Sequence, residues 1–438
     1  MPMQTRFHTN ETNLRYYKLL FYAFLTGTLV GTVSAAFRIS LNYIEQLRNY
    51  LFSNVSNNDI ITWFWPFLFI TLGVSLSIFL VRKFAPETVG SGIQEIEGAL
   101  DGLRPLRWKR VIPVKFIASL CSLGSGMLLG REGPTVQMGA NIGKMVKDQF
   151  AQETMKENPL ISAGAAAGLA SAFNAPFAGI MFVIEEMHEH FKWNFFSVAA
   201  IMIGAGSADA VLKLLISSEP SIQMTIFTSP KPGSLWLFII LGALFSFLGY
   251  LFNYLLVKSL DYFVFLNKKP VVIIALCIAA ILTIAGVFFP EMIGGGYQTI
   301  TKVLEHSFSL TFLLLLLTIR MIFTILGFSS GVSGGIFVPM LTLGIILGMF
   351  YGSSMQYYFP TLITHPEVFG VAGMAAIFAA TVRAPLTGLV LAVEMTSNYE
   401  LILPLIITTA TASVLTTLMG NKPIYATLLA RTLGTTKP

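Results

Sequence analysis

The chain has 438 residues and is unusually apolar: 54% are hydrophobic, 11% are charged, and the mean hydropathy is +0.72. Soluble domains carry roughly a quarter charged residues, so water cannot be the solvent for most of this surface. The net charge of +6 concentrates beside apolar segments, and we interpret it as membrane topology and expect no nucleic-acid partner.

Apolar segments long enough to cross a bilayer recur along the chain. A helix needs about 20 apolar residues to span the hydrocarbon core. Segments of roughly this length lie at residues 19–36, 64–81, 235–257 and 271–289. The short alternating segments of a membrane β-barrel are not found in the sequence. The sequence therefore predicts an all-α polytopic membrane protein embedded in a lipid bilayer.

Basic residues indicate which end of the first segments faces the cytoplasm. Arg6, Arg15 and Lys18 precede the first apolar segment, and residues 101–115 contain five cations and one acid. The positive-inside rule places both regions on the cytoplasmic side.

The chain repeats its own motifs in the same order. Residues 86–94 (PETVGSGIQ) match residues 290–298 (PEMIGGGYQ), and Lys115 then falls on Arg320. Two further pairs follow at a nearly constant offset, namely 130–134 with 335–339 and 163–185 with 372–394. Chance similarity between apolar segments does not produce ordered Gly and Pro matches, so we infer an internal duplication.

The duplication divides the chain into four parts. We assign residues 1–18 to a cytoplasmic N-terminal segment, 19–216 to the first membrane repeat, 217–234 to a linker, and 235–438 to the second repeat with a short C-terminal tail. The pattern alone leaves open whether the repeats run parallel or inverted.

The duplicated Gly-rich segments interrupt apolar stretches at matching places. In duplicated transporters such interruptions usually mark the substrate site near the middle of the membrane. Each interruption exposes a helix N-terminus, where unpaired N–H groups and the helix dipole favour an anion. The sequence therefore predicts an anion held by neutral donors.

Several of these motifs resemble a known family. Residues 90–94 (GSGIQ), 130–134 (GREGP), 335–339 (GIFVP) and Tyr425 resemble the signature elements of the CLC chloride channels and proton/chloride antiporters, most closely the bacterial antiporters. The resemblance implies a CLC-type inverted repeat of tilted and partial helices. It also implies a homodimer with one pore per subunit in the plasma membrane, which in a Gram-negative bacterium is the inner membrane.

The resemblance implies a chloride site made of neutral donors. Ser91 and Tyr425 would donate their hydroxyls, and Ile336 and Phe337 their backbone N–H groups. Such dipoles hold an anion weakly enough to release it. Taken alone, Ser91 also fits a helix N-cap, and Tyr425 also fits an aromatic residue at the membrane interface.

Glu132 matches the gating glutamate of the family. A carboxylate at a helix N-terminus can compete with chloride as a tethered anion, and protonation would release it. The alternative is an acid that only stabilises the helix dipole, but acids inside membranes are costly and usually functional.

Glu186 matches the internal proton-transfer glutamate, and Glu185 its water-organising neighbour. Alone, the two acids could simply mark the cytoplasmic edge of a helix.

A departure from the family pattern is Gln94, which stands where the first motif usually has Pro.

These residues predict a proton-coupled chloride antiporter whose substrates are chloride and protons. A passive CLC-type channel is the alternative, distinguished by its reversal potential under a pH gradient. An integral-membrane enzyme is a distant third, because the five histidines form no catalytic or metal-binding set. His188 and His190 lie near Glu185 but face different sides of a helix, so we expect no metal site, no catalytic residues and no cofactor.

Overall fold

The computed structural model describes residues 4–56, 59–150, 158–187, 194–216, 219, 221–264 and 269–434, with side chains from residue 14 onward. Within these residues the regular secondary structure is helical, apart from three isolated β-bridges. Eight of the described helices are long and apolar enough to cross a membrane. The predicted all-α class is confirmed.

The part of the chain assigned to the first repeat forms eight helices. They are α1 (Gln4–Ser53), α2 (Ile60–Phe84), α3 (Ile93–Leu100), α4 (Trp108–Gly124), α5 (Glu132–Phe150), α6 (Pro159–Phe173), α7 (Pro176–Glu186) and α8 (Phe195–Leu215). The boundary predicted between residues 18 and 19 falls inside α1, which runs on from Gln4 without a break.

The second part repeats this order with eight helices and adds a ninth. They are α9 (Leu235–Phe263), α10 (Val271–Phe288), α11 (Tyr297–Glu305), α12 (Leu310–Ser329), α13 (Phe337–Tyr358), α14 (Glu367–Thr381), α15 (Pro385–Thr396), α16 (Ile402–Leu418) and α17 (Ile424–Thr432). Helix α9 begins at the predicted boundary of the second repeat.

The packing of α7 against α15 shows that the two repeats are inverted. Glu185, near the end of α7, accepts hydrogen bonds from the backbone N–H groups of Leu386 and Thr387 at the start of α15, at 3.0 and 2.7 Å. Glu394 near the end of α15 accepts from Phe177 and Ala178 at the start of α7, at 3.1 and 2.6 Å. Two equivalent helices that meet start to end run antiparallel, which the sequence pattern alone had left open.

Duplicated glycines bring the central helices into close contact. A Cβ atom on Gly139 of α5 would lie 2.2 Å from the carbonyl oxygen of Gly164 in α6. In the second repeat, a Cβ on Gly344 of α13 would lie 2.5 Å from the carbonyl oxygen of Gly373 in α14. Small residues allow membrane helices to approach backbone to backbone. The most apolar 18-residue stretch of α13 is 83% buried, whereas that of α12 is only 33% buried.

Candidate functional site

Three helix N-termini converge in the interior because the loops before them are hydrogen-bonded together. Gly90 donates to the carbonyl of Val332 at 2.9 Å, and Gly334 donates back to Gly90 at 3.0 Å. Gly130 and Gly335 exchange two hydrogen bonds of 2.7 and 2.8 Å. These contacts tie the starts of α3, α5 and α13 to one another, although their loops are distant in sequence.

Glycine is required where these loops meet. Gly92, which precedes α3, has a φ of +83°, a left-handed conformation that side chains disfavour. A Cβ on Gly133, in the first turn of α5, would lie 2.4 Å from the Oγ of Ser91. Ser91 therefore sits directly against the start of α5.

The predicted hydroxyl donors face each other in this interior. Ser91 and Tyr425 are both fully buried. Their hydroxyls lie within reach of each other, and neither has any other hydrogen-bond partner among the described residues. A hydrogen bond between them uses only one of the two O–H donors, so a buried donor beside helix N-termini is left for an acceptor.

The start of α13 borders the same place. Ile336 is the N-cap of α13 and Phe337 its first residue, and both are fully buried. The ring centroid of Phe337 lies 6.1 Å from that of Tyr425. The structure thus brings all four predicted anion-binding residues together at the N-terminal starts of α3, α13 and α17.

Two buried cations hold the Gly-rich loops of the two repeats. The ammonium of Lys115 donates to the carbonyls of Thr88 and Gly90, at 3.0 and 2.7 Å. Arg320, its counterpart in the duplication, donates to the carbonyls of Glu291 and Gly294, at 2.6 and 3.0 Å. Both cations donate hydrogen bonds to backbone carbonyls, and these bonds fix the loops that precede α3 and α11.

Glu132 begins α5 and is fully buried. Its carboxylate folds back over Gly130, where a Cβ would lie 2.1 Å from Oε2. The backbone N–H of Val338 in α13 faces the same carboxylate. The side chain therefore lies between the N-terminal ends of α5 and α13.

Arg131 and Tyr297 hold this carboxylate from the other side. The Tyr297 hydroxyl donates to Oε1 of Glu132 at 3.0 Å, and Arg131 Nε lies 3.9 Å from the same oxygen. The Arg131 guanidinium also stacks over the Tyr297 ring, 4.5 Å from its centroid. The sequence carries no signal for this contact of Tyr297, because its partner lies 165 positions away.

Glu186 ends α7 and is partly buried. It lies within electrostatic range of the Tyr425 hydroxyl and of Glu97, a buried acid in α3. Glu97 is not among the residues predicted from the sequence, although an acid within an apolar environment is itself a signal of function.

Glu185 does not point toward Tyr425 but caps α15, where it also accepts from the Thr387 hydroxyl at 2.8 Å. Its water-organising role stays a prediction.

Gln94 lies buried in the first turn of α3. His188 and His190 lie outside the described residues.

A family model for the voltage gated chloride channel matches residues 72–417, most of the chain. The chain belongs to this family. An H(+)/Cl(-) exchange transporter ClcA from Vibrio parahaemolyticus serotype O3:K6 is 44% identical over 425 residues, which are 96% of this chain and 91% of that protein. One from Salmonella schwarzengrund is 44% identical over 420 residues, 95% of this chain and 89% of that protein.

Solved structures of the voltage gated chloride channel family share the fold. The crystal structure of a slow cyanobacterial Cl-/H+ antiporter superposes with a TM-score of 0.90 at 39% identity, covering 95% of this chain and 98% of that one. A CLC-type fluoride/proton antiporter has a TM-score of 0.74 at 20% identity, covering 91% and 95%, and shows the fold alone. The predicted family and inverted-repeat fold are confirmed. The chain is a multi-pass membrane protein, which in bacteria lies in the inner membrane.

Proposed function

We propose that this protein is a proton-coupled chloride antiporter whose chloride site lies between Ser91, Tyr425 and the N-terminus of α13. The hydroxyls of Ser91 and Tyr425 and the N–H groups of Ile336 and Phe337 would bind the ion. Neutral donors suit a transported anion because they bind it without the strong Coulomb attraction of a cation. The similarity to an H(+)/Cl(-) exchange transporter and to a Cl-/H+ antiporter supports the same substrates.

The observation that carries the proposal is the buried Glu132 carboxylate near the buried hydroxyls of Ser91 and Tyr425, which have no hydrogen-bond partner other than each other among the described residues. The carboxylate is an anion held at helix N-termini, and it would block the position that chloride must pass through. Protonation would remove its charge and its attraction to Arg131, so the side chain would leave. Proton binding and chloride passage would thereby be coupled at one residue.

A separate proton route from the cytoplasm is supported by Glu186. It sits at the end of α7, close to Glu97 and Tyr425. We infer that Glu186 exchanges protons with the cytoplasm and that Glu97 extends the polar route. Glu185 would support this end of α7 by its contact with α15.

Each chain contains the full set of proposed site residues. A homodimer would therefore carry one independent pore per subunit, as the resemblance implies. The named relatives are transporters, and we propose transport without an enzymatic step or a cofactor. Cross-linking in native membranes tests the dimer, since a monomer would give no specific two-chain product.

Substitution of Glu132 by Gln tests the proposed gate in reconstituted vesicles. Glutamine resembles the protonated acid, so we expect Glu132→Gln to retain chloride flux, lose its pH dependence and move no protons. Chloride efflux and proton uptake are followed with electrodes in the same vesicles. Retained proton coupling in this variant would mean that another residue is the gate.

A further inference from the structure

A cavity of about 260 Å³ lies beside the turn that precedes α5. It is bounded by the later part of α1, and the basic residues Arg15 and Lys18 lie toward the other end of this helix, so the cavity faces the outside by the positive-inside rule. Its charged lining residues are three arginines and one acid, namely Arg38, Arg48, Arg131 and Glu45. The cavity therefore carries an excess of positive charge.

Arg48 is a buried cation with unused hydrogen-bonding capacity. It is 4% exposed, and its Nε and Nη2 donate to Oδ1 of Asn49 at 3.3 and 3.1 Å. Its Nη1 is buried with no hydrogen-bond partner among the described residues. A buried guanidinium nitrogen without an acceptor is costly, so this position favours an anion.

Arg38 and Arg131 face each other closely enough to repel. Glu45 is the single acid in the cavity lining, and Arg131 already contacts Glu132 at 3.9 Å. Two guanidinium groups that line the same cavity are stabilised when a small anion lies between them.

The N-terminus of α11 opens into the same cavity. Its preceding glycines, Gly294, Gly295 and Gly296, line the wall. The helix has nine residues, no side-chain N-cap and no acid in its first turn. By the duplication it is the counterpart of α3, whose N-terminus lies at Ser91. Its first N–H groups add a second favourable element for an anion.

We propose that this cavity is a second anion-binding site, separate from the site at Ser91 and Tyr425. It binds a monovalent anion between Arg38, Arg48 and the N-terminus of α11. From there the anion lies next to Arg131 and Glu132, so the site concentrates chloride at the outer face of the gate. The choice of chloride as the anion rests on the proposed function, whereas the site itself rests on the cavity and its charges.

Bromide, which scatters anomalously, tests the site directly in crystals. We expect an anomalous peak beside the Arg48 guanidinium in the wild type and its loss in Arg38→Gln. A peak between Ser91 and Tyr425 in the same crystals serves as an internal reference. Its absence would count against the proposed chloride site without bearing on the cavity.

Transport kinetics supply a second measurement. Removing one nearby charge should raise the half-saturating external chloride concentration of Arg38→Gln roughly three- to tenfold. Lys231→Gln is the matched control, because Lys231 is an exposed cation of the linker and lies outside the cavity. No bromide peak at Arg48 in the wild type, or an unchanged half-saturating concentration in Arg38→Gln, would overturn the proposal.

Discussion

The hydroxyl of Tyr297 stabilises the closed position of Glu132 in our account, because it donates to the charged carboxylate. A hydrogen bond to a charged group contributes about 1.5–3 kcal/mol. Tyr297→Phe keeps the ring under Arg131 and removes only this bond. We therefore expect chloride turnover to rise by about tenfold, measured as initial efflux from vesicles.

A double substitution separates this role from a general loosening of the site. Tyr297→Phe should have no effect in a Glu132→Ala background, since its hydrogen-bond partner is then missing. Tyr351→Phe is the control, because that hydroxyl donates at 3.0 Å to the carbonyl of Leu237. An equal acceleration with and without Glu132 would exclude the proposed role of Tyr297.

We propose that antiport rather than passive conduction depends on Glu186. Glu186→Gln leaves the residues around Ser91 and Tyr425 untouched, so we expect it to bind and pass chloride while moving few or no protons. Chloride affinity is measured by calorimetry and proton uptake in vesicles. Proton exchange at the wild-type rate would remove Glu186 from the route.

Motifs predicted the residues whose identity is distinctive, and missed those that act through distant contacts. Recognisable motifs predict three site residues, namely Ser91, Glu132 and Tyr425. The fold brings the segments that contain them together. Tyr297 gave no such signal, since its hydrogen bond crosses between repeats. Glu97 was detectable in principle, because a buried acid in an apolar chain needs a reason.

At the scale of helices, the reciprocal caps of α7 and α15 predict a matched pair of effects. Glu185 and Glu394 each place a carboxylate on two N–H groups of the opposing helix. Removing the charge of either costs up to about 2 kcal/mol. We expect Glu185→Gln and Glu394→Gln to lower the melting temperature in detergent by similar amounts.

The same pair separates capping from proton transfer. If Glu185 also organises water near Glu186, Glu185→Gln alone should reduce proton flux, and by less than Glu186→Gln does. Unchanged melting temperature in Glu394→Gln would argue against the capping role.

The helices themselves were largely predictable from apolar length and Gly/Pro anchors. Residues 64–81 and 271–289 predicted α2 and α10 closely. Their orientation was not predictable, because a repeated sequence reads the same whether its second copy is parallel or inverted. The parallel and inverted arrangements are distinguished by the structure, in which the end of α7 contacts the start of α15 and the end of α15 contacts the start of α7.

At the scale of the whole molecule, one chain contains two inverted repeats, the proposed central site of neutral donors and a cavity lined by three arginines and one acid. Composition predicted the membrane environment because burial in lipid requires an apolar surface. In the proposed mechanism, side-chain movements within this helical fold couple chloride to protons. Measurements of chloride and proton flux test this coupling.

The most direct test is proton movement driven by chloride alone. Purified protein is reconstituted into tight vesicles with a chloride gradient and equal pH on both sides, and the external pH is recorded. We expect chloride leaving the vesicles to drive protons inward, so that an opposing pH gradient builds up until a protonophore collapses it. Chloride efflux with no proton uptake in the same vesicles would contradict antiport and identify a passive chloride channel.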